Sequence, residues 1–220
     1  MESHVNRRPM SLALAAAATL VLSACGADEA PSSAKGTVEG TEKGEGAQKE
    51  SPSAEPSKAA GRPEIKLPDD IENVFEGWET GDKTKDAILA DVSHRIDATD
   101  YAIAKADPEL EAVKFYYQGR ALVEAQDWIL GYKKDGLSIT GTVRFHSPGI
   151  EVFSKNAAGV TYCSDESKGF AKDRETGKVD KNDPSDRSHI LYSARVEKTA
   201  TGVWQTTELS SERGNAKCVS

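Results

Sequence analysis

The sequence lacks the short motifs that would indicate a catalytic nucleophile, a phosphate-binding loop or a metalloprotease. It contains no G-x-S-x-G, no Walker loop, no H-E-x-x-H and no C-x-x-C. It has only 3 cysteines, too few for a disulfide scaffold or a closed zinc site of cysteines. Its apolar run from Leu12 to Leu22 is about eleven residues long, whereas a membrane-spanning helix needs about 20. These absences predict neither a cofactor nor a particular reaction.

An excess of positive charge is also missing. The chain has 28 basic and 36 acidic side chains and a formal charge of -8, with no basic patch. Nucleic acid is therefore not expected as a partner. The segment from Gly26 to Arg62 has no aromatic residue and only one branched aliphatic residue, Val38. Such a segment cannot bury enough apolar surface to offset the entropy of ordering, so we predict a disordered tether over residues 25–63.

The N-terminus has the order of a bacterial export signal. Arg7 and Arg8 precede the apolar run, which ends in Leu22-Ser23-Ala24-Cys25. This ending resembles the lipobox of bacterial lipoproteins, which implies cleavage of residues 1–24 and a diacylglyceryl group on the Cys25 thiol. The resemblance predicts a lipid-anchored protein on the extracytoplasmic face of the cell membrane. An ordinary cleaved signal is the alternative, and the arginine pair leaves open whether export uses the general or the twin-arginine route.

Two cysteines remain if Cys25 carries lipid. Cys163 and Cys218 would then lie in an oxidising compartment, where pairing is expected. Closing a loop of this length stabilises the folded state by roughly 4 kcal/mol in the chain-entropy model. We predict a disulfide between them, with two buried free thiols as the alternative.

Residues 64–220 have the composition of one globular domain, and their first half has helical periodicity. We predict a short helix capped by Asp69 or Asp70, an amphipathic helix after Gly81, and a helical segment from Asp107-Pro108 to about Lys134 that is divided at Gly119. The apolar positions of the first two helices are Ile71, Val74, Phe75 and Trp78, then Ile88, Val92, Ile96 and Ile103.

The second half alternates as strands do. We predict strands over 137–146, 150–153, 159–163, 189–198 and 203–209, and a short edge strand over 216–219. Pro148-Gly149 predicts a turn, and the charged stretch 164–187 predicts a long surface loop. Helices followed by an antiparallel meander predict the α+β class, with N-terminal helices packed on a curved antiparallel sheet.

Residues 68–219 resemble small secreted actinobacterial lipoproteins that have the nuclear transport factor 2-like cone fold. The resemblance is carried by Tyr116-Tyr117, Ala121-Leu122, Trp128-Ile129, Ile139-Thr140-Gly141-Thr142-Val143, Val160-Thr161-Tyr162-Cys163-Ser164-Asp165-Glu166-Ser167, Gly202-Val203-Trp204 and Cys218. It implies helices that close over a bent sheet and leave a pocket. Members of this kind mostly have no assigned activity.

The candidate pocket residues are Asp97, Tyr101, Trp128, Arg144 and His146. A carboxylate beside a histidine or tyrosine could support the acid–base chemistry that isomerases and dehydratases of the cone fold perform. A solvated helix face and an exposed strand face explain the same polar residues, and aromatic residues at helical spacing usually form core. The leading hypothesis is therefore a non-catalytic domain that binds a small apolar ligand or an envelope protein. An enzyme of the isomerase or dehydratase type and a purely structural envelope protein are the alternatives.

Overall fold

The computed structural model describes residues 61–219, in which three helices pack on a curved, six-stranded sheet. The elements are β1 Ile71–Phe75, α1 Lys83–Lys105, α2 Glu111–Tyr116, α3 Gly119–Lys134, β2 Leu137–Ser154, β3 Ala157–Asp173, β4 Val179–Asp180, β5 His189–Lys198 and β6 Trp204–Arg213. The strand order is β1-β2-β3-β5-β6, and β4 pairs with β3. The predicted α+β class and helix-on-sheet packing are confirmed. Cys25, the predicted signal peptide and nearly all of the predicted tether lie outside the described residues.

One face of helix α1 is buried in the interior, as the sequence predicts. Its first turn is capped by Asp82, whose carboxylate accepts hydrogen bonds from the backbone N–H groups of Thr84 and Lys85 at 2.9 and 3.0 Å. Its predicted apolar stripe is buried: Ile88, Val92, Ile96 and Ile103. Helix α2 ends at Tyr116 and α3 begins at Gly119, which has φ +60°, and this confirms the predicted division. None of the helices within residues 61–219 has the length and apolarity that a membrane crossing requires.

The predicted helix around residues 71–78 is wrong. Ile71–Phe75 is strand β1, which pairs parallel to β2 with Ile71 opposite Gly141 and Phe75 opposite Phe145. Residues four apart share a face in a strand as well as in a helix, so the spacing of Ile71 and Phe75 fits both. A short isolated helix is marginal because its nucleation is costly, whereas the segment gains backbone pairing along the edge of the long strand β2.

Three predictions in the second half are also wrong. Pro148-Gly149 does not form a turn, since β2 continues to Ser154 through a register shift after His146. About half of the predicted loop 164–187 is strand, because β3 runs to Asp173 and β4 covers Val179–Asp180. Residues 216–219 form a turn rather than an edge strand, with the Cys218 N–H donating to the Asn215 carbonyl at 2.9 Å. The second part of β3 was not recognised as a strand because several of its residues are charged, so the sequence shows no clear apolar–polar alternation there.

Two sets of contacts tie the ends of the described chain to the fold. Cys163 of β3 and Cys218 are joined by a disulfide with their Cα atoms 5.5 Å apart, the pair that the sequence predicts. Arg62 forms an ion pair with Asp91, which is 1% exposed and also accepts the Trp204 backbone N–H at 2.8 Å. The packed part of the chain therefore includes Arg62, just before the predicted boundary at residue 64.

One part of the interior is filled. It lies between the first half of α1 and the sheet, and it includes Trp78 and Trp204. Its buried members are Trp78, Ile88, Leu89, Val92, Ile96, Phe145, Ala158, Val160, Tyr162, Val196 and Trp204.

Candidate ligand-binding cavity

A cavity of about 400 Å³ lies between α1 and α3 on one side and the sheet on the other. Most of its lining is apolar and comes from both layers. The apolar lining residues are Ile71, Ile96, Ile103, Ala121, Ala125, Trp128, Ile139, Val143, Phe145, Phe170, Ala171, Ile190 and Leu209. An apolar ligand could therefore contact apolar side chains on two opposite walls of the cavity.

The sheet wall bends where two glycines face each other. Gly141 of β2 is opposite Gly169 of β3, and the β2–β3 register shifts just after, between Thr142 and Arg144. Gly141 has φ +98°, and a Cβ there would lie 2.1 Å from the Lys168 carbonyl oxygen. Only glycine permits this approach of the two backbones. Both glycines line the cavity, so this irregular part of the sheet forms part of its wall.

Arg95 of α1 lies at the wall of the cavity and is only 3% exposed. One terminal nitrogen donates to the Tyr117 hydroxyl at 2.8 Å, and the other donates to the Tyr162 hydroxyl at 2.6 Å. Its carbon Cζ lies 5.4 and 6.0 Å from the centres of the two rings. Arg95 makes no ion pair within residues 61–219, and its Nε is buried without a hydrogen-bond partner. A guanidinium is always charged, so within the described residues this is a buried cation with no carboxylate in direct contact, and its positive charge acts to lower the pKa of Asp100.

The two hydroxyls beside Arg95 differ in what they can still donate. Thr99 donates to the Arg95 carbonyl at 3.0 Å, so the Tyr117 hydroxyl donates to the Thr99 oxygen, 2.9 Å away. The Tyr162 hydroxyl makes no hydrogen bond within the described chain other than the one it accepts from Arg95. Its proton is therefore available to an acceptor in the cavity.

A pair of carboxylates one turn further along α1 has a different environment. The side-chain amide of Asn73 donates to Asp97 at 2.9 Å and to Asp100 at 2.7 Å. Both Asn73 and Asp100 line the cavity. Burial raises the pKa of Asp100 to about 7, and the negative charges of Asp97 and Glu166 add to the increase. The hydrogen bond from Asn73 and the positive charge of Arg95 oppose it. Burial also raises the pKa of Asp97. Asp100 can therefore exchange a proton near neutral pH.

Further charged and aromatic groups complete the polar part of the lining. Glu166 pairs with Arg213 at 2.9 Å, and burial raises the pKa of Glu166 although this arginine opposes the increase. Trp128 is 58% exposed while still lining the cavity, and its ring lies 5.4 Å from that of Tyr132. Trp128 therefore marks the side on which the cavity opens to solvent.

The five pocket residues named from the sequence do not meet at one site. Trp128 lines the cavity, and Asp97 reaches it only through Asn73. Tyr101 has the ammonium of Lys105 over its ring, 5.4 Å from the centre, and is not part of the lining. Arg144 and His146 are also absent from the lining. Arg144 pairs instead with Glu76 and Asp165, and His146 contacts the Ser147 hydroxyl at 3.0 Å.

The sequence interpretation missed Arg95, Asp100 and Glu166. A signal for Arg95 was present, because it is seven residues after Ile88 and three after Val92 and so falls on the apolar stripe of α1. A cation on such a stripe must be buried or lie at a cavity. Glu166 had no comparable signal, since it lies in a stretch that was interpreted as a loop. Within residues 61–219, no three acidic, histidine or cysteine side chains are grouped so that they could hold a metal ion.

Comparisons with known proteins give distant structural similarities. No protein-family model matches the chain, and no curated protein matches it. A solved ketosteroid isomerase-like protein from Erwinia carotovora atroseptica is 19% identical, with a TM-score of 0.38, over 57% of this chain and 95% of its own. A nuclear transport factor 2-like superfamily protein from Salmonella enterica is 19% identical, with a TM-score of 0.38, over 56% and 89%. The intermembrane-space region of a chloroplast protein is 18% identical, with a TM-score of 0.40, over 56% and 92%. Similarity at this level carries no information about activity.

Proposed function

We propose that this protein is a lipid-anchored, extracytoplasmic domain that binds a small molecule with a largely apolar body. The cavity of about 400 Å³ between the helices and the sheet is the observation that carries the proposal. Its volume falls in the range of small-molecule sites, and it combines apolar walls with a few convergent polar groups, as such sites do. A ligand would gain apolar contacts from both layers and be oriented by Arg95, Asp100 and Tyr162.

Native mass spectrometry tests ligand binding most directly. The sample is the mature chain, residues 25–220, with Cys25→Ser so that no lipid is attached, secreted by the native host. We expect a reproducible additional mass of a few hundred daltons.

The matched control for this measurement uses two positions on α3. Ala125 faces the cavity and Val123 is exposed. Ala125→Phe places a bulky ring inside the cavity and should reduce or abolish the additional mass, whereas Val123→Phe should retain it. An additional mass that survives undiminished in Ala125→Phe, or a bare chain in the unmodified protein, would contradict binding in this cavity.

The membrane anchor is a separate part of the proposal and rests on the order Leu22-Ser23-Ala24-Cys25. Two acyl chains on one residue hold a protein stably, because each buried methylene contributes about 0.8 kcal/mol. Cys25→Ala should release the full-length protein from the membrane fraction or stop its processing. A Cys25→Ala protein that is fully processed and still membrane-bound would show that the anchor is elsewhere.

An acid–base enzyme is the second candidate, and Asp100 is the observation in its favour. A carboxyl with a pKa of about 7 at the wall of a cavity has the proton affinity that a general acid or base needs at neutral pH. The test is to isolate the bound molecule, return it to the protein and follow its isomerisation or dehydration. Asp100→Asn should abolish turnover while the molecule still binds, and turnover that persists in Asp100→Asn would exclude this role.

An envelope-protein partner has weaker support. Val152 and Phe153, at the far end of β2, are 41% and 53% exposed. Isolated exposed apolar side chains of this kind are normal on soluble proteins. A cavity with unpartnered polar groups favours a small ligand over a protein partner or a filled structural core.

A further inference from the structure

We propose that the ligand of this cavity is an amphipathic acid whose anionic group binds against Arg95 and Tyr162. This inference rests on the proposed small-molecule binding and names the chemical class of the ligand. It follows from hydrogen-bond donors and charge that the described residues leave unmatched at the wall of the cavity.

The first step is the charge of Arg95. Its guanidinium is almost fully withdrawn from water, and its two protein partners are hydroxyl groups rather than carboxylates. Burying a charge is costly unless a countercharge accompanies it. An anionic ligand in the cavity would supply that countercharge.

The second step is the count of donors. A guanidinium has five N–H donors, and hydrogen bonds to Tyr117 and Tyr162 are the ones that Arg95 makes within residues 61–219. Its Nε–H is buried and unpartnered, and the Tyr162 proton has no acceptor among the described residues. Each terminal nitrogen of Arg95 has a second N–H beyond the one that bonds to a tyrosine, and both Arg95 and Tyr162 line the cavity. These groups can donate to a carboxylate or another oxyanion, which presents only acceptors, whereas the fully buried Nε–H is not counted as a ligand donor.

The acidic groups of the cavity do not remove this requirement. The lining acids Glu166 and Glu124 are already paired, with Arg213 and Arg120. Asp100 of the lining and its neighbour Asp97 both accept from Asn73. Burial favours the neutral form of Asp100, so it repels an anion less than an ordinary carboxylate would. The remaining lining is mostly apolar, which suits a hydrocarbon or aromatic body attached to the acid group.

Two fluorescent probes that differ by one anionic group test the inference. The first is 1-anilinonaphthalene-8-sulfonate, and the second is N-phenyl-1-naphthylamine, which has the same aromatic body without the sulfonate. Binding of each is titrated with the mature chain carrying Cys25→Ser, with the ligand from the host removed by refolding. We expect the sulfonate probe to bind about thirtyfold more tightly than the neutral probe, since it would pair with a desolvated cation.

Variants then assign the difference to Arg95. Arg95→Met should weaken binding of the sulfonate probe about thirtyfold and leave the neutral probe nearly unchanged, while Arg95→Lys should retain part of the preference. Tyr162→Phe, which keeps the ring and removes one donor, should weaken the sulfonate probe less than Arg95→Met does. The control for the loss of a positive charge is Arg187→Met, because Arg187 is exposed and is not part of the lining.

A competition experiment needs no variant and keeps the inference falsifiable if Arg95→Met does not fold. Decanoate should displace the sulfonate probe from the unmodified cavity at a concentration at which decanol does not. Equal binding of the two probes, or equal displacement by decanoate and decanol, would overturn the acid ligand while leaving small-molecule binding intact. If neither probe binds and the native chain also carries no additional mass, the proposed function falls as well.

Discussion

The two halves of α1 bury charged side chains in different ways. In the first half, Asp91 is paired with Arg62 and accepts the Trp204 N–H, so its charge is matched within the fold. In the second half, the hydrogen-bond partners within residues 61–219 are two hydroxyl groups for Arg95 and the Asn73 amide for Asp100. The first half lies against a filled core and the second against a cavity. A buried charge that is fully matched stabilises the fold, whereas one that lacks partners at a cavity wall is suited to a ligand.

The largest effect on stability is expected from Gly141→Ala, which tests whether the close approach of β2 and β3 at the cavity wall requires glycine. The added Cβ would meet the Lys168 carbonyl oxygen, and the residue would be held at φ +98°. Steric overlap together with the strained backbone should lower the free energy of unfolding by about 4 kcal/mol. Urea denaturation measures the change. Gly131→Ala is the control, because a Cβ at Gly131 in α3 meets nothing within 4 Å and should stabilise the helix by about 1 kcal/mol.

Asp91→Ala should have the next largest effect on stability, and it tests the first half of α1, where the buried charge has an ion-pair partner. It leaves the Trp204 N–H without an acceptor and Arg62 without its countercharge. We expect the free energy of unfolding to fall by about 3 kcal/mol in urea denaturation at pH 7. Asp127→Ala, an exposed acid on α3, should change it by less than about 0.5 kcal/mol. Equal effects of Asp91→Ala and Asp127→Ala would mean that the buried pair does not stabilise the fold.

Asp100→Asn should raise the free energy of unfolding, and the size of the increase should depend on pH. The pKa of Asp100 is raised from 3.8 to about 7, so between these values the folded protein holds a proton that the unfolded chain has released. Its contribution to stability is thus fully present below about pH 4 and is lost as the pH rises to about 7. Asp97 and Glu166, which face it from α1 and β3, have pKa values raised in the same direction and remain in the variant.

The measurement for Asp100→Asn is urea denaturation from pH 4 to pH 8, in parallel with the unmodified protein. Each pKa unit corresponds to about 1.4 kcal/mol, and the neighbouring carboxylates share the titration. We therefore expect the free energy of unfolding of the variant, relative to that of the unmodified protein, to increase by about 2 kcal/mol from pH 4 to pH 8. A difference that stays constant from pH 4 to pH 8 would show that the pKa of Asp100 is not raised.

Trp128→Ala should have the smallest effect on stability and tests the open side of the cavity. Because the side chain is 58% exposed, its removal should lower the free energy of unfolding by less than about 1 kcal/mol. It should weaken binding of either fluorescent probe, because the ring lines the cavity. Val123→Ala, at another exposed position of α3, should leave probe binding unchanged. Equal binding by both variants would remove Trp128 from the site.

The sequence predicted the elements whose patterns are long and regular. The apolar stripe of α1 and the hairpin of β5 and β6 are where periodicity places them, since both patterns extend over many residues. The five residues of β1 fit two periods at once, and pairing with β2 selected the strand. The second part of β3 looked like a loop because several of its residues are charged, and only pairing with β2 and β4 made it a strand.

The sequence by itself determined the α+β order and the helix face that enters the interior, because hydrophobic periodicity is a local property of the chain. It also singled out Trp128 among the residues that line the cavity. Only the tertiary structure decided the polar part of that lining. Arg95 meets Tyr117 and Tyr162 across separations of 22 and 67 residues, and no local pattern records such a meeting. Whether a buried charge has a partner depends on contacts between distant elements, and this is what distinguishes Arg95 and Asp100 from Asp91.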